Sequence, residues 1–237
     1  MKPKLPPLEN IAALGRILTV WAHPDDETYL AGGVMAMARH LGQPVTCVTA
    51  TLGDHADTEE ARGRAGRIRS GELVHALRTL GVDDMVLLGL RDGACEGFDD
   101  GVAVEMIGAV IRDRRPDTII TFGPDGFTGH VDHRTVSRWV TTAAGATRPR
   151  ARVLFPAATA KTAADGRDID AQFGVFDPGL PVVCSQTELA LEVTVDGPWL
   201  ETKLRALRAH GSQTAALIRV LGEERYKRWI SSELFVE

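Results

Sequence analysis

The chain has 237 residues, 27 Lys+Arg against 32 Asp+Glu, a formal net charge of −5 and 44% hydrophobic residues. These values exclude a disordered polypeptide, and the length can bury a core without staples. The acidic balance argues against a nucleic-acid partner, which needs a net basic face, but leaves a phosphate-bearing small substrate open.

Other classes fall in the same way. No apolar run approaches the roughly 20 residues of a membrane span, and the N-terminus has no apolar core or cleavage site of a signal peptide. Cys47, Cys95 and Cys184 are odd in number, far apart and form no CxxC pair, so they read as isolated thiols. The expectation is a cytoplasmic protein with its oligomeric state open, a homo-oligomer included.

In chain order, residues 1–12, with Pro3, Pro6 and Pro7, predict an irregular arm. Arg16 to Ala22 predicts a first strand. Tyr29 to Leu41 predicts a helix, stopped by Gly42 and Pro44. Pro44 to Thr51 is a second strand and Thr58 to Leu80 a second helix, weakened in its middle by Gly63, Gly66 and Gly71. Asp84 to Leu88, Asp117 to Phe122 and Arg152 to Phe155 read as strands, with helices over Val102 to Arg114 and Asp132 to Ala144 between them. Lys161 to Pro181, rich in Gly, Asp and Pro, reads as loop. Glu188 to Val195 alternates like an added, antiparallel strand, and Trp199 to His210 and Gln213 to Arg228 are helical.

This alternation predicts an α/β fold, a Rossmann-like, doubly wound and mainly parallel sheet of order 3-2-1-4-5. A C-terminal strand and helices are added, within one domain over 1–237.

Two polar clusters stand at strand ends. After the first strand come His23-Pro24-Asp25-Asp26-Glu27. Adjacent carboxylates repel one another unless a cation neutralises some of them, and a divalent metal is the economical explanation. The competing explanation is a helix cap that complements the macrodipole, with His23 a core histidine. After the fourth strand come His130, Asp132 and His133. Two imidazoles three residues apart can converge, and Asp132 can orient an imidazole; alternatively the loop caps a helix through Asp132 or Thr128.

The pair says more than either cluster. Strands one and four are neighbours in order 3-2-1-4-5, and the gap between their carboxyl ends is the topological switch point. Clusters more than a hundred residues apart therefore meet in one crevice, with enough imidazole and carboxylate for a zinc site of three protein ligands plus water.

The segment Ala22-His23-Pro24-Asp25-Asp26-Glu27, followed by Gly129-His130-Val131-Asp132-His133, resembles the LmbE-like (PIG-L) de-N-acetylases. That family includes the N-acetylglucosaminyl-phosphatidylinositol deacetylases and bacterial enzymes that deacetylate glucosaminyl precursors of low-molecular-weight thiols. Arg69 and Glu72, Gly89 to Gly93, Lys203, Ala206, His210, Ser212 and Gln213 extend the likeness.

The resemblance implies His23, Asp26 and His133 as ligands of Zn2+, with Fe2+ an alternative ion, and Asp25 as the general base acting on water. It implies His130 as oxyanion donor or acid for the leaving amine, with Asp132 holding it. Arg69, Asp92 and His210 are implied as substrate contacts, although His210 beside Gly211 could instead end a helix. The implied partner is a small N-acetylated amino sugar. Zinc lowers the pKa of bound water to about 7, which suits amide hydrolysis at neutral pH. Alternatives are an amidase of a thiol conjugate, a deacetylase of a secondary-metabolite intermediate, or a non-catalytic metal- or sugar-binding protein. Arg62, Arg64 and Arg67 read as a solvated helix face, and His40, His55 and His75 as surface or structural residues.

Overall fold

Five residues in succession, Ile17–Trp21, apolar except for Thr19, form β1 and are all buried. Such an uninterrupted run belongs to a strand covered on both faces. The computed structural model describes residues 8–237. Leu8–Ala12 is a short helix, α1, with Ile11 buried. The irregular arm expected over 1–12 is thus corrected over those five residues, because apolar anchoring ties them to the core; residues 1–7 lie outside the described residues.

Parallel strands and covering helices then alternate. α2 is Asp26–His40, β2 Val45–Thr51, α3 Glu59–Thr79 and β3 Asp84–Leu90. α4 is Asp100–Arg114, β4 Thr118–Ile120, α5 Val131–Ala146 and β5 Arg152–Pro156. β1 pairs in parallel with β2 and β4 (Ile17 opposite Val45 and Thr118), and the five strands run in the order β3-β2-β1-β4-β5.

Beyond β5 the structure departs from the sequence reading. Ala158–Thr159 (β6) leads into a helix, α6, over Ala160–Phe173, where a loop was expected. Gly166 and three aspartates hide the helical pattern, but a capping box between Thr159 and Thr162 starts it. The absent Cβ at Gly166 also admits the Trp229 ring, since a methyl there would lie 3.3 Å from Nε1.

β7 (Val183–Cys184) pairs with β6, and β8 (Leu191–Thr194) is the added strand. α7 (Gly197–Ala209), α8 (Gly211–Leu221) and α9 (Glu223–Ile230) follow. The terminal β9, Ser232–Val236, was not legible as a strand. It inserts antiparallel between β5 and β8, completing the order β3-β2-β1-β4-β5-β9-β8.

Glu233 explains why β9 seats there. It is buried, accepts from the Gly33 and Val34 N–H groups at 2.6 and 2.8 Å, and meets Lys203 Nζ at 2.7 Å. These contacts join β9, α2 and α7. Gly33 leaves no room for a side chain, since a Cβ would lie 2.4 Å from Val195 Cγ2.

Candidate metal centre and active site

The chain leaves β1 at its carboxyl end through Ala22 to Pro24 and turns at Asp25, whose φ is 118°. A non-glycine residue in that region is strained, and such strain persists only where surrounding contacts impose it. Here the Asp25 N–H donates to Glu27 Oε2 at 2.9 Å. Glu27 Oε1 lies 2.8 Å from His210 Nε2 and also accepts from the Thr28 hydroxyl. Glu27 and His210 are both fully buried. Asp25 stands at the N-cap of α2 but makes no side-chain cap hydrogen bond among the described residues, so its carboxylate is available for chemistry.

The two strand-end clusters meet. His23 Nδ1 and His133 Nε2 are 3.2 Å apart. The oxygens of Asp26 lie 3.5 Å from His23 Nδ1 and 3.4 Å from His133 Nε2. An ion about 2.1 Å from each atom of a tetrahedral set holds them roughly 3.4 Å apart, so these three residues fit a first-row divalent metal.

The remaining hydrogen bonds select the tautomers that such an ion needs. His133 Nδ1 is 3.0 Å from Gly126 O, which leaves the Nε2 lone pair for the site. His23 Nε2 faces Asp132 Oδ2 and Asp92 Oδ1, each at 3.2 Å, which leaves its Nδ1 lone pair. Asp132 is itself fixed by the Gly93 and Cys95 N–H groups. His133 also stacks on Phe122, with centroids 4.0 Å apart. Two other trios, His23/His130/His133 and His23/Asp92/Asp132, bring ligand atoms within 4.8 Å of one another. The second uses the outer edge of His23, where the carboxylates serve as hydrogen-bond acceptors.

The electrostatics separate the adjacent acids. Burial pushes the Asp25 carboxyl up to about 7; the Asp26 charge adds to this and Arg69 opposes it. Asp26 feels the same burial, yet His133 and His23 hold it well below the usual carboxylate range. One acid is thus poised to exchange a proton near neutrality while its neighbour stays ionised.

His130, exposed, is the N-cap of α5, and its Nδ1 accepts from the Asp132 N–H at 3.1 Å. The sequence reading placed Asp132 or Thr128 in that capping role. It also expected the Asp132 carboxylate to hold His130, but that carboxylate faces His23; Asp132 meets His130 only through the main chain. Burial, and then the charge of His23, keep the His130 pKa below its ordinary value. A neutral ring accepting at Nδ1 carries its proton on Nε2, where it can donate.

Arg69 and Asp92 are turned inward. The Arg69 guanidinium donates to Pro24 O at 2.7 Å and lies 3.4 Å from both Asp25 and Asp92. Gly53 makes this possible, because at φ +64° a Cβ would come within 2.6 Å of the guanidinium. His210 does end a helix, as the C-cap of α7, while its side chain supports Glu27 and does not line the cavity that includes Asp25, Asp26 and His133. The supporting role of Glu27 was not legible in the sequence. Its only signal was the acid two residues beyond Asp25.

The doubly wound sheet thus gathers at its switch point a cluster of His and Asp side chains that could hold a metal ion, beside the Asp25 carboxyl. The family model for GlcNAc-PI de-N-acetylases matches residues 18–144, and the chain belongs to that PIG-L family. It is 30% identical to a probable N-acetyl-alpha-D-glucosaminyl L-malate deacetylase 2 of Bacillus subtilis, over 92% of this chain and 95% of the relative. It is 34% identical to a 1D-myo-inositol 2-acetamido-2-deoxy-alpha-D-glucopyranoside deacetylase of Actinosynnema mirum, over 86% and 82%. The N,N'-diacetylchitobiose deacetylase of Pyrococcus horikoshii shares the fold, with TM-score 0.64 and 18% identity over 96% and 85% of the two chains. The family is hydrolytic and its named members here act on N-acetyl amide bonds. Among the described residues no helix is long and apolar enough to cross a membrane.

Proposed function

We propose that this protein is a zinc-dependent hydrolase that removes the N-acetyl group from an N-acetylglucosamine-type amine, as one domain over 1–237. The observation that carries the reading is the convergence of His23 Nδ1, His133 Nε2 and the Asp26 oxygens to within 3.2–3.5 Å, with the uncapped Asp25 carboxylate next in the chain. His23, Asp26 and His133 would hold the ion. When bound it would polarise the amide carbonyl and lower the pKa of water to about 7.

The chain's own groups supply the proton steps. The Asp25 carboxylate takes a proton from the attacking water as its oxygen bonds to the acyl carbon. The Nε2–H of His130 donates to the carbonyl oxygen as negative charge develops there. Protonated Asp25 then returns its proton to the nitrogen, the C–N bond breaks as the carbonyl re-forms, and the free amine leaves with acetic acid, which ionises to acetate on release. Arg69 holds Asp25 and Pro24 in place, and Asp132 and Asp92 orient His23. A binding-only protein has no use for a strained, uncapped carboxylate at Asp25. The free buried thiols of Cys47 and Cys95 suit a cytoplasmic location.

The test is acetate release from N-acetylglucosaminyl amines by zinc-loaded protein, with Asp25→Ala beside it. Release by the parent, and its loss in a variant that keeps the metal, supports the reading. Full activity in Asp25→Ala overturns the mechanism, and a protein that takes up no divalent ion overturns the site.

A further inference from the structure

Beside the metal centre lies a cavity of about 480 Å³ whose lining includes Asp25, Asp26 and His133. That volume accommodates a whole small ligand and far exceeds the methyl of an acetyl group. Tyr29, Phe127, Phe176, Leu217 and Trp229 build much of the wall.

Several of the polar groups on this wall already have partners within the protein. The Tyr226 hydroxyl donates to the Tyr29 hydroxyl at 2.8 Å. Thr162 closes the N-terminus of α6, Asp170 accepts from the Phe176 N–H at 2.8 Å, and Asp165 pairs with Lys161. Arg167 and Arg228, on the same lining, are exposed to solvent. A wall built to read sugar hydroxyls would present free carboxylates and amides along its length, whereas away from Asp25 and the exposed Ser232 this one presents mainly ring faces and aliphatic side chains such as Leu30, Val175 and Leu217. Arg69, Asp92 and His130 are not part of it. Asp92 meets the Nε2 edge of His23, and the cavity's Asp26 and His133 meet the Nδ1 edge.

We propose that this cavity binds an apolar substituent of the amide substrate, an alkyl chain or an aromatic ring, in addition to the N-acetylated amino sugar. The proposal rests on the amide-hydrolase reading above and narrows its substrate class. The apolar group has two sources, an extended N-acyl chain or an apolar aglycone, and the physical basis is the same for both. Each methylene withdrawn from water strengthens binding about fourfold.

The experiment compares three amides with metal-loaded protein: methyl N-acetylglucosaminide, hexyl N-acetylglucosaminide and the methyl glycoside of N-hexanoylglucosamine. One of the hexyl compounds is expected to exceed the methyl parent in kcat/KM by at least ~10-fold, and which one does so identifies the source. Ala163→Phe, which fills the cavity from α6, and Leu217→Gln, which makes its wall polar from α8, are each expected to erase the preference. Two variants on separate helices guard against one misfolding.

Calorimetry with hexyl and methyl glucosides, which contain no amide, reads the cavity without chemistry. The hexyl compound is expected to bind at least ~10-fold more tightly, against a ceiling of about 10³-fold for five fully buried methylenes, and Ala163→Phe to remove the difference. The proposal is overturned if neither kinetics nor calorimetry shows a hexyl preference, or if the preference survives both substitutions. If no amide is cleaved while the hexyl glucoside still binds, the hydrolase reading fails and the apolar site stands. Cleavage without any hexyl preference has the opposite meaning.

Discussion

His210 Nε2 and Glu27 Oε1 are 2.8 Å apart, both fully buried, and the second oxygen of Glu27 holds the N–H of Asp25. The pair therefore supports the strained backbone at the residue proposed as general base. Burial opposes protonation of His210, but Glu27 outweighs it and the pKa is raised. A raised folded value means that the stabilisation is fully present below the ordinary His value of ~6.5 and is lost as pH rises through the folded value. His210→Phe leaves Glu27 without this partner and is expected to cost about 3 kcal/mol at pH 6. The gap between variant and parent should narrow at pH 9, as measured by chemical denaturation. A gap that is constant with pH would mean that His210 is neutral in the fold.

Asp25→Asn keeps the shape of the site and removes the base. Hydrolysis is expected to fall by roughly 10²–10⁴-fold, with zinc content by elemental analysis unchanged, because Asp25 is not among the three converging ligand residues.

His23→Ala and Asp26→Ala remove two of the three proposed metal ligands. Each variant should lose its ion on dialysis and with it the metal-dependent rise in melting temperature. In the parent that rise corresponds to about 2.7 kcal/mol at a hundredfold excess of metal over Kd. An Asp26→Ala protein that retains one equivalent of tightly held metal would place the centre elsewhere.

Asp132→Asn tests the orientation of His23. The Asp132 carboxylate accepts from two backbone N–H groups and faces His23 Nε2. Weakening it should lower metal affinity about 10–100-fold, read by competition with a chromogenic chelator. A loss of kcat at full metal affinity would instead favour the role that the sequence suggested, support of His130.

The buried Lys203–Glu233 pair makes a prediction about stability alone. Lys203→Met strands the Glu233 carboxylate among the Gly33 and Val34 N–H groups and should cost about 3–5 kcal/mol. Lys203→Met with Glu233→Gln should recover part of it, since the amide oxygen still accepts one of those bonds.

Much of this protein is determined locally. Short β-branched runs alternating with helical periods specify the sheet order through β5, because handed crossovers leave few ways to connect them. That the residues at the ends of β1 and β4 meet in one cluster was legible because that order makes the two strands neighbours. Tertiary packing decided the rest. α6 forms despite Gly166 and its aspartates, because Gly166 admits Trp229. β9 joins the sheet through Glu233, a residue that in isolation reads as surface. The direction of the Asp132 carboxylate, the inward turn of Arg69 and the support of Glu27 by His210 depend on partners 23 to 183 residues away. Such contacts leave no periodicity in the chain, so the sequence indicates which groups carry the chemistry, and only the packed structure determines which group each of them faces.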